Sequence, residues 1–93
     1  MKKDMRLKVN RVVKTETKES NVSIQKISRQ IVFKHTDGGT AQVHYIIDEK
    51  TEGVENVQSI HLPDFIHHGL TIKNLKMLKD LVDAVAVELE IGK

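Results

Sequence analysis

Ninety-three residues, 39% apolar and 30% charged, suit one domain over residues 1–93 with a modest core, and exclude a disordered chain. The lack of any cysteine excludes disulfides, thiolate metal cages and a thiol nucleophile, as expected of a cytoplasmic chain. The net charge of +2 hides an asymmetry: Met1–Thr40 holds ten Lys/Arg against four Asp/Glu, whereas Ala41–Lys93 holds five against nine. A basic half of this kind can meet an anionic partner, or the acidic half of its own fold or of a second copy.

The chain opens on MKKDMRLKVN, which has no apolar run long enough for a secretion signal. No stretch approaches the ~20 apolar residues that span a bilayer. The expectation is a soluble protein with no membrane partner.

In MRLKVNRVV, Met5, Leu7 and Val9 alternate with Arg6, Lys8 and Asn10, the period of a strand with one buried face. The polar KTETKESN that follows reads as a loop. VSIQKISRQIVFKH is rich in β-branched residues, but its phase changes. Val22 and Ile24 are even-numbered, whereas Ile27, Ile31 and Phe33 are odd-numbered. A bulge near Gln25–Lys26, a bent strand or two strands would each restore one buried face.

TDGG supplies residues tolerant of positive φ and predicts a hairpin. The return strand TAQVHYIID places Ala41, Val43, Tyr45 and Ile47 on one face and Thr40, Gln42, His44 and Ile46 on the other. EKTEG connects to a less regular fourth strand, VENVQSIHL. PDFIHH then reads as one helical turn or a compact loop, with Phe65 and Ile66 as inward plugs and Gly69 as its end.

The last element is a helix, TIKNLKMLKDLVDAVAVELE. Ile72, Leu75, Leu78, Val82, Val85 and Leu89 step by three and four, and Met77 and Leu81 widen the stripe. Thr71 suits the N-cap and Gly92 the stop. The expected fold is α+β: an antiparallel meander of about four strands, with the long C-terminal helix packed on one face.

Motifs for chemistry are absent. There is no GxGxxG, no GxxxxGK[ST] and no GxSxG, so no nucleotide cofactor, catalytic residue or small-molecule substrate is expected. His61, His67, His68 and Asp64 are metal-ligating types. Adjacent histidines point apart, however, and no HExxH helix accompanies them, so they read as an exposed turn and no metal is expected. His35 and His44 flank the hairpin and, with Asp37, are candidates for an acid–base or metal pair; paired surface residues on a hairpin are the simpler reading.

Binding is the better expectation. One helix covers one face of a sheet and leaves the other open. Alternation assigns Arg6, Lys8, Asn10 and Val12 to that open face, together with Ser28, Gln30, Val32, Lys34, Gln42, His44 and Ile46. A protein partner, or a second copy in a two-fold homodimer, would meet Arg6, Lys8, Val12, Val32, Lys34, His44 and Ile46. This is the profile of a non-catalytic accessory or inhibitory factor of phage or mobile-element type. The alternative is nucleic acid, held through Arg6, Lys8, Arg11, Lys26, Arg29 and Lys34. Four strands followed by a helix resembles, in element order, small single-strand-binding domains, and the resemblance implies a nucleic-acid partner on the sheet. Such domains stack bases on aromatic rings, whereas alternation turns Phe33 and Tyr45 inward.

Overall fold

The computed structural model describes residues 8–20, 25–64 and 69–90. Five elements follow in order: β1 (Val9–Ser20), β2 (Gln25–His35), β3 (Thr40–Asp48), β4 (Gly53–His61) and α1 (Ile72–Glu90). The strands form one antiparallel meander in the order β1-β2-β3-β4, and α1 lies across one face, chiefly over β2 and β3. The α+β class, the sheet and the covering helix are those that the sequence patterns predict. No helix among the described residues is long and apolar enough to cross a membrane.

The β2–β3 hairpin shows how local chemistry sets register. Gly38 N–H donates to the His35 carbonyl (2.9 Å), His35 N–H donates to the Gly39 carbonyl (2.8 Å), and Gly38 takes φ +108°. This is a type I turn closed by a glycine bulge. A methyl group at Gly38 would meet nothing within 4 Å, so only the backbone opposes a side chain there. Gly38→Ala is therefore expected to cost about 1–2 kcal/mol, measured as a lower urea midpoint at unchanged m-value. Gly39 matters for a different reason: its N–H points at the Met77 sulfur (3.2 Å), and a Cβ would sit 2.8 Å from that atom. The hairpin and α1 are thus in close contact at this end of the sheet.

Two segments depart from the sequence reading. KTETKESN is not a loop. Lys14–Ser20 continues β1, with Lys14 as the extra residue where the register slips between Val13 and Thr15. Ladder hydrogen bonds and polar cross-strand pairs such as Glu16 with Arg29 hold it without an apolar face. The phase change in the second segment needs no bulge at Gln25–Lys26, because β2 begins at Gln25; Val22 and Ile24 lie outside the described residues.

The core is one cluster between sheet and helix. Ile31, Phe33, Ala41, Val43, Tyr45 and Ile47 project from the sheet, and Met77, Leu81, Ala84 and Val85 from α1. The Thr71 hydroxyl accepts from Asn74 N–H (3.1 Å), confirming the predicted N-cap. The helix phase, however, is corrected. The buried line is Met77, Leu81, Ala84, Val85 and Glu88, whereas Ile72, Leu75 and Val82 are exposed. Apolar residues occupy more of the helix circumference than the sheet can cover. Polar bonds decide which part turns inward: the His35 ring bonds Asp80 (2.8 Å), and Arg11 bonds Glu88. The two clamps tie α1 to β2 through Asp80 and to β1 through Glu88, and leave the Leu75 and Val82 flank uncovered.

Candidate functional site

Cross-strand register assembles the face opposite the helix into transverse rows. Asn10, Lys34 and Thr40 form the first, and Val12, Val32, Gln42 and His61 the second. Thr15, Gln30, His44 and Ser59 form the third, and Thr17, Ser28, Ile46 and Asn56 the fourth. These residues alternate with the core-facing ones along each strand, and no element among the described residues lies over them. Val12 is exposed, and Val32, Gln42, His44 and Ile46 are half-buried by their neighbours. The result is a polar surface of amides, hydroxyls and imidazoles with apolar points at Val12, Val32 and Ile46.

Several polar groups on this face are already oriented. Ser28 Oγ and His44 Nε2 share a hydrogen bond of 2.9 Å, the Thr15 hydroxyl reaches Gln30 Oε1 (3.5 Å), and Lys26 pairs with Glu55 (2.6 Å). Such bonds fix side-chain directions in advance, lowering the ordering cost that a partner would otherwise meet.

Of the residues assigned to a protein partner, Val12, Val32, Lys34, His44 and Ile46 share this surface. Lys8 is exposed and immediately precedes β1. Arg6 lies outside the described residues. The nucleic-acid set is divided. Lys26 and Lys34 are on the open face, but Arg11 and Arg29 are on the helix side, in the same rows as Phe33 and Tyr45. Their odd numbers, shared with Ile31 and Phe33, carry this placement.

Both arginines are committed to carboxylates. Arg11 grips Glu88 with two parallel bonds, Nε to Oε1 at 2.6 Å and Nη2 to Oε2 at 3.1 Å, and Arg29 pairs with Glu16. The Tyr45 hydroxyl donates to Glu88 Oε2. Burial acts to raise the Glu88 pKa, but the Arg11 and Tyr45 hydrogen bonds outweigh it, so the carboxyl is held below its ordinary value. Tyr45 moves the other way, raised first by burial and then by its bond to that anion. A fork of this geometry is a strong charge-assisted pair. Sequence reading singled out neither Glu88 nor its partner role.

The remaining polar candidates separate. His35 is buried under α1, where Nδ1 accepts from Asp37 N–H (3.0 Å) and Nε2 bonds Asp80, whereas His44 is on the opposite face. The two histidines therefore cannot act as a pair. His61 ends β4 on the open face and Asp64 is exposed; His67 and His68, like the plugs Phe65 and Ile66, lie outside the described residues. Among the described residues no three His, Asp or Glu gather as a metal cage.

A cleft of about 240 Å³ opens beside Tyr45 and Glu88, lined also by Ile27, Arg29, Ile47, Glu49, Glu52 and Val54. It is smaller than the ~300 Å³ at which ligand pockets begin, and its central polar groups are spent on one another. No protein-family model, curated protein or solved structure matches the chain.

Proposed function

We propose that the chain is a non-catalytic protein-interaction module, and that the uncovered sheet face is where its partner docks. The observation that carries this reading is the arrangement of Val12, Val32 and Ile46 as apolar points among half-buried, pre-bonded polar side chains on a broad bare face. An interface of ordinary polarity has this composition, with apolar contacts inside a polar surround. An accessory or inhibitory role suits a small chain whose broadest uncovered feature among the described residues is a surface and whose Tyr45–Glu88 cleft is small.

Nucleic acid is less well supported. Phe33 and Tyr45 are buried in the core, and Arg11 and Arg29 are neutralised on the far side. Backbone neutralisation by many free cations, and stacking on rings, are the two sources of such binding.

A photo-crosslinking amino acid placed at Val32 or Thr17, with Lys50 in the exposed β3–β4 turn as the control, tests the proposal in cells that make the protein. Discrete protein adducts from the two sheet positions and none from Lys50 are expected, and Val32→Asp or Ile46→Asp should reduce adduct yield from Thr17 at least tenfold. Each substitution is expected to cost about 1 kcal/mol of stability or less, as for a polar change in a strand. Adducts to nucleic acid, or equal adducts from all three positions, would overturn the reading.

A further inference from the structure

The outer flank of α1 is the second surface that the fold leaves unsatisfied. Ile72 is 70% exposed, Leu75 48% and Val82 44%, with Leu78 half-buried beside them. At 100° per residue, Leu78, Val82 and Leu75 sit roughly 60–120° round from the buried Leu81, so they form one continuous line rather than scattered exposures. Steps of three and four along this line match the seam of a packed helix pair.

Charge identifies the occupant. Just outside this seam, away from the sheet, the first half of α1 carries Lys76 and Lys79, and the second half carries Asp83 and Glu90. The seam is therefore bordered by a basic end and an acidic end of one helix. A parallel copy would set like against like; an antiparallel copy sets each end against its opposite. We propose that α1 pairs with α1 of a second copy in an antiparallel, two-fold arrangement.

The register follows from the residues. Placing the two-fold axis between residues 80 and 81 sets Leu75 level with Ala86 of the copy and Ile72 level with Leu89, with Leu78 about 1.5 Å along the axis from Val82 of the copy, and by symmetry the reverse. The same register brings Lys79 of each chain beside Asp83 of the other, where Asp83 already accepts from Lys79 of its own helix (2.8 Å). Each Asp83 then lies between the Lys79 of its own helix and the Lys79 of the copy. Such two-fold contacts are self-complementary by construction. The pairing buries this flank of α1 and leaves the uncovered sheet face, on the other side of the sheet, free, so it is independent of the docking reading above.

Because the natural chain has no cysteine, single-cysteine variants report the geometry directly. In this register the two copies of residue 82 are offset by about 4.5 Å along the axis, whereas those of residue 72 are about 25 Å apart. Under mild oxidation Val82→Cys should form a disulfide-linked dimer and Ile72→Cys should not. Light scattering of the unmodified protein should give twice the monomer mass at tens of micromolar. Leu75→Glu, at an exposed position, should keep its circular dichroism and raise the dissociation constant at least about a hundredfold. Val32→Asp should leave it unchanged. A monomer at all concentrations, equal crosslinking at residues 72 and 82, or a dimer untouched by Leu75→Glu would each overturn the proposal.

Discussion

Replacing Arg11 by methionine should destabilise the protein more than replacing its partner Glu88 by glutamine. The two ends of the pair are not equivalent, since the Arg11 side chain is 38% exposed and that of Glu88 only 3%. Once Glu88 is lost, the guanidinium can turn to water, and glutamine still offers an oxygen to Arg11 or Tyr45. Once Arg11 is lost, a carboxylate stays buried with only the Tyr45 hydroxyl to satisfy it. Breaking a fully buried pair costs about 3–5 kcal/mol, and the exposure of Arg11 discounts this to about 2–4 for Arg11→Met. Glu88→Gln should cost about 1–2 kcal/mol.

The pH dependence separates the two variants further. In the native protein the Glu88 pKa lies below its ordinary 4.5, because burial, which raises it, is outweighed by the Arg11 and Tyr45 bonds. The stability this contributes is present above the unfolded pKa and is lost as pH falls through the folded one. In Arg11→Met only the Tyr45 bond and the charge of Arg29 are left to oppose burial, so the folded pKa rises from its native position and less stability is lost on acidification. The stability gap between native protein and Arg11→Met should therefore narrow as pH falls from about 7 to about 4, whereas the gap for Glu88→Gln narrows through titration of the native carboxyl alone, since that variant has none to titrate. Urea unfolding across that range measures both gaps. A gap for Arg11→Met that does not change with pH would show that Glu88 is not held as a buried anion.

What the sequence disclosed of this fold depended on whether an element has one dry side. Ala41–Ile47 alternates strictly because β3 is half-buried along its length, and TDGG marks its hairpin by backbone chemistry alone. Lys14–Ser20 gave no such signal, since this half of β1 has water on both sides and is held by ladder bonds and the Glu16–Arg29 pair. Alternation also assembled Val12, Val32, His44 and Ile46 correctly on one surface, because parity survives through β2 and β3, where no bulge interrupts their pairing. The same parity placed Arg11 and Arg29 on the other side; counting them as free cations set charge above position. Glu88 was legible in retrospect as a carboxylate three residues from Val85 and seven from Leu81, opposite an inward-facing arginine.

The helix phase is the point where pattern alone was insufficient, and a pair of alanine substitutions tests it. Two apolar lines run side by side on α1, one through Leu75, Leu78 and Val82 and one through Met77, Leu81 and Val85. Their spacings are equally helical. The His35–Asp80 and Arg11–Glu88 bonds select the second line for the core. Leu81 is fully buried and in the centre of the cluster, so Leu81→Ala removes three buried carbons, leaves a cavity and should cost about 3 kcal/mol. At a protein concentration of about 1 µM, where the proposed helix pair is dissociated, Leu75→Ala should cost under about 0.5 kcal/mol, since it uncovers nothing and alanine favours the helix. The two sites differ by six residues on one helix and by chemistry not at all, so propensity and composition cannot account for the difference. Equal losses at Leu75 and Leu81, read from denaturant midpoints at constant m-value, would place both lines against the sheet and leave no free flank for a second copy to meet.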